Sequence, residues 1–213
     1  NMDEIKAIQR NCTPLDKAPI YIDDTPNISL LELKSKARKL VKENGVRLLV
    51  IDYLQLMRSG RNINNREQEI AEISRGLKGL AKELDIPVIA LSQLSRGVES
   101  RGDKKPMLSD LRESGQIEQD ADMVLFCYRP EYYGIDQYEV GNQQFPSNGL
   151  FMLLVSKHRN GELGEVPLRF IHEQTKITNH QFTFGSSDYS STFAPPITQE
   201  RHQQTIQEEN NPF

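Results

Sequence analysis

The sequence predicts an α/β fold, a mainly parallel sheet flanked by helices and ending in a C-terminal β-hairpin, and three observations carry this. Short apolar, partly β-branched runs at 47–51, 86–91, 123–128 and 150–156 read as buried strands. A long stretch of helical periodicity lies between the first two runs, which is the length a parallel crossover needs. An Asn160-Gly161 pair follows the last run and precedes the alternating stretch Val166 to Ile171, the signature of a hairpin.

The elements follow in order. From Ser29 to Asn44 the apolar residues Leu30, Leu33, Ala37, Leu40 and Val41 recur at spacings of three and four, so this segment predicts an amphipathic helix. Ser29 with Glu32 forms a capping box, Ile28 and Leu33 are placed as the hydrophobic staple across it, and Gly45 supplies the stop. Arg47 to Ile51 is the first strand and ends in Asp52. From about Glu67 to Leu84 the residues Ile70, Ile73, Leu77, Leu80, Ala81 and Leu84 share one helical face. Ile86 to Leu91 is the second strand, Met123 to Tyr128 the third and Leu150 to Ser156 the fourth. From residue 179 to 213 the character changes, with 16 of 35 residues being Ser, Thr, Asn or Gln and no apolar period. The expectation is one domain over 1–178 and a polar disordered tail over 179–213.

Bulk properties exclude several classes. With 213 residues, 37% apolar and 26% charged, the chain fits a globular domain with some polar, unstructured sequence, and no apolar run approaches the roughly 18 to 20 residues of a membrane span. Two cysteines make no disulfide framework. Cys127, inside an apolar run, reads as a small core residue, and a reducing cytosolic compartment is the expected home. The net charge of -4 means that any case for nucleic acid must rest on a local patch.

Four places could carry chemistry. Asp52, at the end of an apolar strand, stands where a nucleoside triphosphatase puts the carboxylate beside the Mg²⁺ that bridges nucleotide phosphates, although a turn or cap residue gives the same pattern. Gln93 stands at the end of the neighbouring strand, where open α/β sheets bind ligands and where its amide would meet a terminal phosphate; a solvated loop glutamine is the alternative. From Arg96 to Arg112 there are five bases (Arg96, Arg101, Lys104, Lys105 and Arg112) against three acids, a local reversal of sign. That suits a sugar-phosphate backbone, and the absence of aromatic residues argues against base stacking. Lys157 and Arg159 flank the hairpin turn and are expected to project away from their own sheet, as cations acting on a neighbouring subunit do; an ordinary exposed turn is the alternative. The four histidines are scattered, so no histidine metal cluster is expected.

Taken together these runs resemble a known family. Ile51-Asp52-Tyr53-Leu54-Gln55-Leu56-Met57, Arg66-Glu67-Gln68-Glu69-Ile70, Ala90-Leu91-Ser92-Gln93-Leu94-Ser95-Arg96, Leu108-Ser109-Asp110-Leu111-Arg112-Glu113-Ser114-Gly115, Ile117-Glu118-Gln119-Asp120-Ala121-Asp122 and Lys157-His158-Arg159-Asn160-Gly161 look like the C-terminal motor domain of the bacterial replicative DNA helicases of the DnaB type, over about Ala18 to Ile171. The resemblance implies a RecA-like ATPase core in a homohexameric ring that uses ATP and Mg²⁺, moves on single-stranded DNA and works with a primase and a helicase loader, in bacterial cytoplasm or plastid stroma. It implies that Asp52 is the Walker B carboxylate that holds Mg²⁺, Gln93 the γ-phosphate sensor, and Lys157 and Arg159 the fingers in trans. It also implies that Arg112, Glu113 and Gly115 are part of the loop that holds the DNA backbone, and the local basic charge adds Arg101 and Lys104 as expected DNA contacts. The sequence departs from the family pattern: no Gly-x-x-x-x-Gly-Lys-Ser/Thr occurs in it, and the family's separate N-terminal domain is not part of it. The expectation is therefore a fragment of such an enzyme, inactive alone. A non-catalytic DNA- or partner-binding module is the rival, and a recombinase- or clock-type ATPase of the same fold fits the Leu-Arg-Glu-Ser-Gly and Lys-His-Arg-Asn-Gly runs less well.

Overall fold

The computed structural model describes residues 17–180 apart from 61, 62, 64 and 142, with a few positions before residue 17; the side chains of residues 112–114 are outside that description. Of the tail predicted over 179–213, residues 181–213 also lie outside it.

Helix α1 (Leu30–Asn44) starts where its cap says it should: the Ser29 Oγ accepts from the Glu32 amide at 3.2 Å, and Gly45 ends it at φ 66. The Glu32 carboxylate pairs with Lys36 at 3.0 Å. A Ser29→Ala variant should lose about 1 kcal/mol, read as a lower denaturant midpoint at unchanged slope. Strand β1 (Leu49–Ile51) is followed, after the 3-10 turn Leu54–Leu56, by α2 (Arg66–Leu84), whose Glu67 and Gln68 amides donate to the Asn65 Oδ1. Ile70, Ile73 and Leu80 on α2 are essentially fully buried. Strand β2 (Val88–Ala90) returns parallel to β1, with Leu49 opposite Val88 and Ile51 opposite Ala90. This β1–α2–β2 unit is the predicted parallel crossover.

The other ladders run differently. A short helix α3 (Gly115–Asp120) precedes β3 (Met123–Tyr128). Then come the hairpin β4 (Gln137–Val140) and β5 (Gln143–Pro146), followed by the long strands β6 (Leu150–His158) and β7 (Gly164–Ile171) and the short β8 (Lys176–Asn179). Strands β3, β6, β7 and β8 form one antiparallel sheet in that order. Among the described residues the predicted parallel strand pairing is thus confined to β1 and β2, apart from one isolated parallel bridge between Ser29 and Arg58. The reason lies between β3 and β6, where a hairpin replaces the helix that a parallel return requires. The predicted C-terminal hairpin is present as β6–β7, and Asn179, placed by sequence in the tail, closes β8.

The β1–β2 pair and strand β3 bury one face each, while β6 is buried on both faces over its first three residues. Leu30, Ile51, Leu54, Ile70 and Ile73 make the core under β1 and β2, and Leu111, Phe126, Tyr128, Met152 and Leu154 the core under β3 and β6. On the opposite faces Val50 is 54% exposed and Ile89 53%, while β3 alternates strictly, so that Met123, Leu125 and Cys127 are exposed. The reading of Cys127 as a core residue is corrected accordingly. A strand covered on one side shows alternation even when every residue in it is apolar.

Candidate nucleotide and DNA site

Because β1 and β2 are parallel and in register, their C-terminal ends deliver Asp52 and Ser92-Gln93 to one edge of the sheet, the position where open α/β sheets bind ligands. The ladder continues past the strands, with the Leu91 amide donating to the Ile51 carbonyl at 2.9 Å and the Leu54 amide to the Leu91 carbonyl at 2.9 Å. The Gln55 side chain then ties the two ends together. Its amide nitrogen donates to the Ser92 Oγ at 3.0 Å, and its oxygen accepts from the Gln93 backbone N–H at 3.2 Å. Asp52 and Gln93 are both exposed, and the Asp52–Tyr53 peptide is cis.

The turn after Asp52 is held from α2. Arg66 Nη2 donates to the Gln55 carbonyl at 2.6 Å, its other nitrogen pairs with Glu69, and Glu69 accepts from the Ser59 amide at 3.1 Å. Burial pushes the Glu69 carboxyl up, but the Ser59 amide and the Arg66 charge outweigh this and hold it below its ordinary value. A buried, fully engaged Glu69 therefore fixes the loop that presents Asp52.

Among the described residues no group of three or more His, Cys, Asp or Glu could hold a metal ion. Asp52 fits Mg²⁺ in a different way. An exposed carboxylate at a strand end suits a cation that takes its remaining ligands from phosphate oxygens and water.

The basic segment folds back on itself more than its composition suggests. Arg101 grips Asp110 with two nitrogens at 2.7 and 2.6 Å and donates to the Lys105 carbonyl at 2.5 Å. Lys104 lies over the Tyr133 ring at 5.6 Å, and Lys105 pairs with Glu165 on β7. Arg101 and Lys104, predicted as DNA contacts, thus have their charged ends engaged within the chain. Asp110, by sequence only one of three neutralising acids, is the buried centre of the loop. Arg112 and Glu113 lie on the 3-10 turn Leu108–Ser114, anchored by the buried Leu111, and the exposed Gly115 opens α3.

At the hairpin tip the two predicted fingers differ. Arg159 is exposed, with Nη1 3.4 Å from Asp122 Oδ1. Lys157 is half-buried and turned inward, its ammonium donating to the carbonyls of Glu118 and Gln119 at the end of α3. The expectation that both project away from the sheet is corrected for Lys157, while Arg159 stays exposed beside Asp122. A helix C-terminus carries unsatisfied carbonyls and partial negative charge, which attract a cation within reach. Sequence reasoning assigned no role to Gln55, Asp122 or Glu165. The only signal for them was position inside or beside the motif runs.

The sequence pattern of the DnaB-like helicase C terminal domain matches residues 1–179. The chain belongs to that family. The DnaB of Geobacillus stearothermophilus is 52% identical over 171 residues, and the replicative helicase DnaC of Bacillus subtilis is 50% identical over 171 residues; each match covers 80% of this chain and 36% of the relative. The chain therefore spans about a third of the length of these relatives. Among solved structures, an ATPase domain superposes with a TM-score of 0.72 at 40% identity, covering 85% of this chain and 66% of that one. A DnaB-like replicative helicase described with its interactions with primase superposes at 0.68 and 45% identity, covering 76% and 37%. The α/β class and its RecA-like character follow from this likeness. No helix among the described residues is long and apolar enough to cross a membrane.

Proposed function

We propose that this chain is part of an ATP-dependent replicative DNA helicase that translocates on single-stranded DNA and unwinds the duplex ahead of it. The observation that carries the reading is the pair Asp52 and Gln93, set side by side by two parallel strands and braced by Gln55 in a DnaB-family domain. In this reading Asp52 holds Mg²⁺ through water. Bound Mg²⁺ neutralises charge developing on the phosphates. Gln93 hydrogen-bonds the terminal phosphate and so reports its presence, and Arg159 reaches the phosphate held by a neighbouring subunit of a homohexamer. Arg112, Glu113 and Gly115 hold the DNA backbone. A primase and a helicase loader are the proposed protein partners, by analogy with the relatives, and bacterial cytoplasm is the proposed setting.

The test is hydrolysis. In a complete helicase that contains this segment, Asp52→Asn should abolish ATP turnover and unwinding without lowering the melting temperature. Full activity in that variant would overturn the assignment. The 213 residues alone, which contain no phosphate-binding Gly-x-x-x-x-Gly-Lys-Ser/Thr, should not hydrolyse ATP; turnover that depends on Asp52 in this chain would show the reading to be wrong.

DNA contact is tested separately. Arg112→Ala in the complete enzyme should weaken single-stranded DNA binding and flatten its log-log salt dependence by about 0.7, the slope lost with one phosphate contact. Sequence preference should stay the same, because backbone contacts carry no base information.

A further inference from the structure

Helix α3 joins two places that the proposed function keeps apart. Its first residue, Gly115, is itself one of the proposed DNA contacts, and its last carbonyls, on Glu118 and Gln119, hold the Lys157 ammonium. Two residues beyond its end, the Asp122 carbonyl accepts from the Arg159 amide at 2.8 Å. The Asp122 carboxylate lies between Arg159 Nη1, at 3.4 Å, and the Lys78 ammonium of α2. Across the same helix Arg75 of α2 donates to Gln116 at 3.2 Å. The tip of the β6–β7 hairpin is thus bound at three points to the segment that continues from the DNA loop.

We infer that Asp122 is a positioning residue that parks the Arg159 guanidinium within its own subunit, and that a shift of α3 on DNA binding releases it toward the neighbour's phosphate. The inference rests on the proposed function, since it needs Arg159 to act in trans. Its physical basis is competition. Arg159 has one guanidinium, and Asp122 and a phosphate are both anionic acceptors for it, so the arginine cannot serve both at full strength. Asp122 and Arg159 are 60% and 53% exposed, so the pair is weak and solvent-screened. A strong pair would hold the arginine permanently, whereas a weak one yields to a multiply charged phosphate. Lys78 keeps the carboxylate in place and ionised, its hydrogen bond being the largest influence that holds the Asp122 carboxyl below its ordinary value.

The experiment uses the complete helicase, with ATP hydrolysis measured without DNA and with saturating oligo(dT), and oligo(dT) affinity measured by fluorescence anisotropy. Asp122→Asn should raise the DNA-free rate about two- to fivefold, the range that an exposed ion pair spans. The DNA-saturated rate should not change, so the stimulation ratio falls by the same factor, and the oligo(dT) affinity should rise by no more than that factor, because DNA binding no longer has to break the pair. Asp122→Glu, which keeps the charge, should restore the parent ratio. An unchanged DNA-free rate in Asp122→Asn overturns the inference. So does a parallel fall of both rates, which would make Asp122 a structural support only. If the parent enzyme shows no DNA-stimulated hydrolysis, or keeps full hydrolysis after Arg159→Ala, the proposed function itself fails and the inference fails with it.

Discussion

Replacing Arg159 with alanine in the complete enzyme should collapse ATP hydrolysis by about 10³ to 10⁵, the range over which a cation supplied to a transferring phosphoryl group acts. The folded protein should survive the change. Arg159 is more than half exposed and its side-chain partner Asp122 is more exposed still, so the truncation removes little packing and a surface pair worth about 0 to 1 kcal/mol. Mixing this variant with Asp52→Asn sharpens the test. Asp52 leaves the end of β1, whereas Arg159 sits on the β6–β7 turn beyond the other sheet. If the two meet only across a subunit boundary, some mixed interfaces pair an intact Asp52 with an intact Arg159. Partial recovery of hydrolysis after subunit exchange is the expected result. No recovery, with exchange demonstrated by labelled subunits, would place both residues in one site and defeat action in trans.

Local signals were legible in the sequence, and partnerships were not. The cap at Ser29, the stop at Gly45 and the buried stripe of α2 all act within one turn of the chain, so residue spacing is enough to show them. The parallel direction of β1 and β2 followed from the helix between them. Strand direction beyond β2 was hidden, because an apolar run looks the same whichever way it is traversed; only the connection from Tyr128 to Leu150 decides it. The same limit applies to charge. Lys157 and Arg159 are equivalent in sequence, two cations around a histidine, yet α3 lies within reach of only the first ammonium. Asp52 and Gln93 were legible as candidates because each follows the end of a strand run. Gln55, which braces them, has no such marker: an amide that bridges two loops is defined by both loops at once.

The second large effect concerns Asp110, and it separates fold from DNA contact. The Asp110 carboxylate is buried, accepts two bonds from Arg101 and one from the Met107 amide at 2.8 Å, and its own carbonyl accepts from the Ser95 amide at 2.9 Å. Asp110→Ala leaves a partly buried guanidinium and a backbone amide without their acceptor. The expected loss is about 2 to 4 kcal/mol, below the full penalty for a wholly buried pair because Arg101 keeps some contact with water. The pH dependence has a definite sign. The Arg101 guanidinium holds the Asp110 carboxyl below its ordinary value, and the Met107 amide adds to this against the opposing effect of burial. A carboxylate whose folded pKa is depressed stabilises the fold above its unfolded pKa of about 3.9, and the stabilisation is lost as pH falls through the folded value. Parent and variant should therefore differ most near neutral pH and converge in acid, as measured by denaturant unfolding of the complete protein across that range. Arg101→Ala should show the same loss of stability and the same convergence. It should leave the salt slope of single-stranded DNA binding unchanged, in contrast to Arg112→Ala. A slope that falls by about 0.7 on removal of Arg101, with stability intact, would return this arginine to the DNA contacts and make its grip on Asp110 incidental.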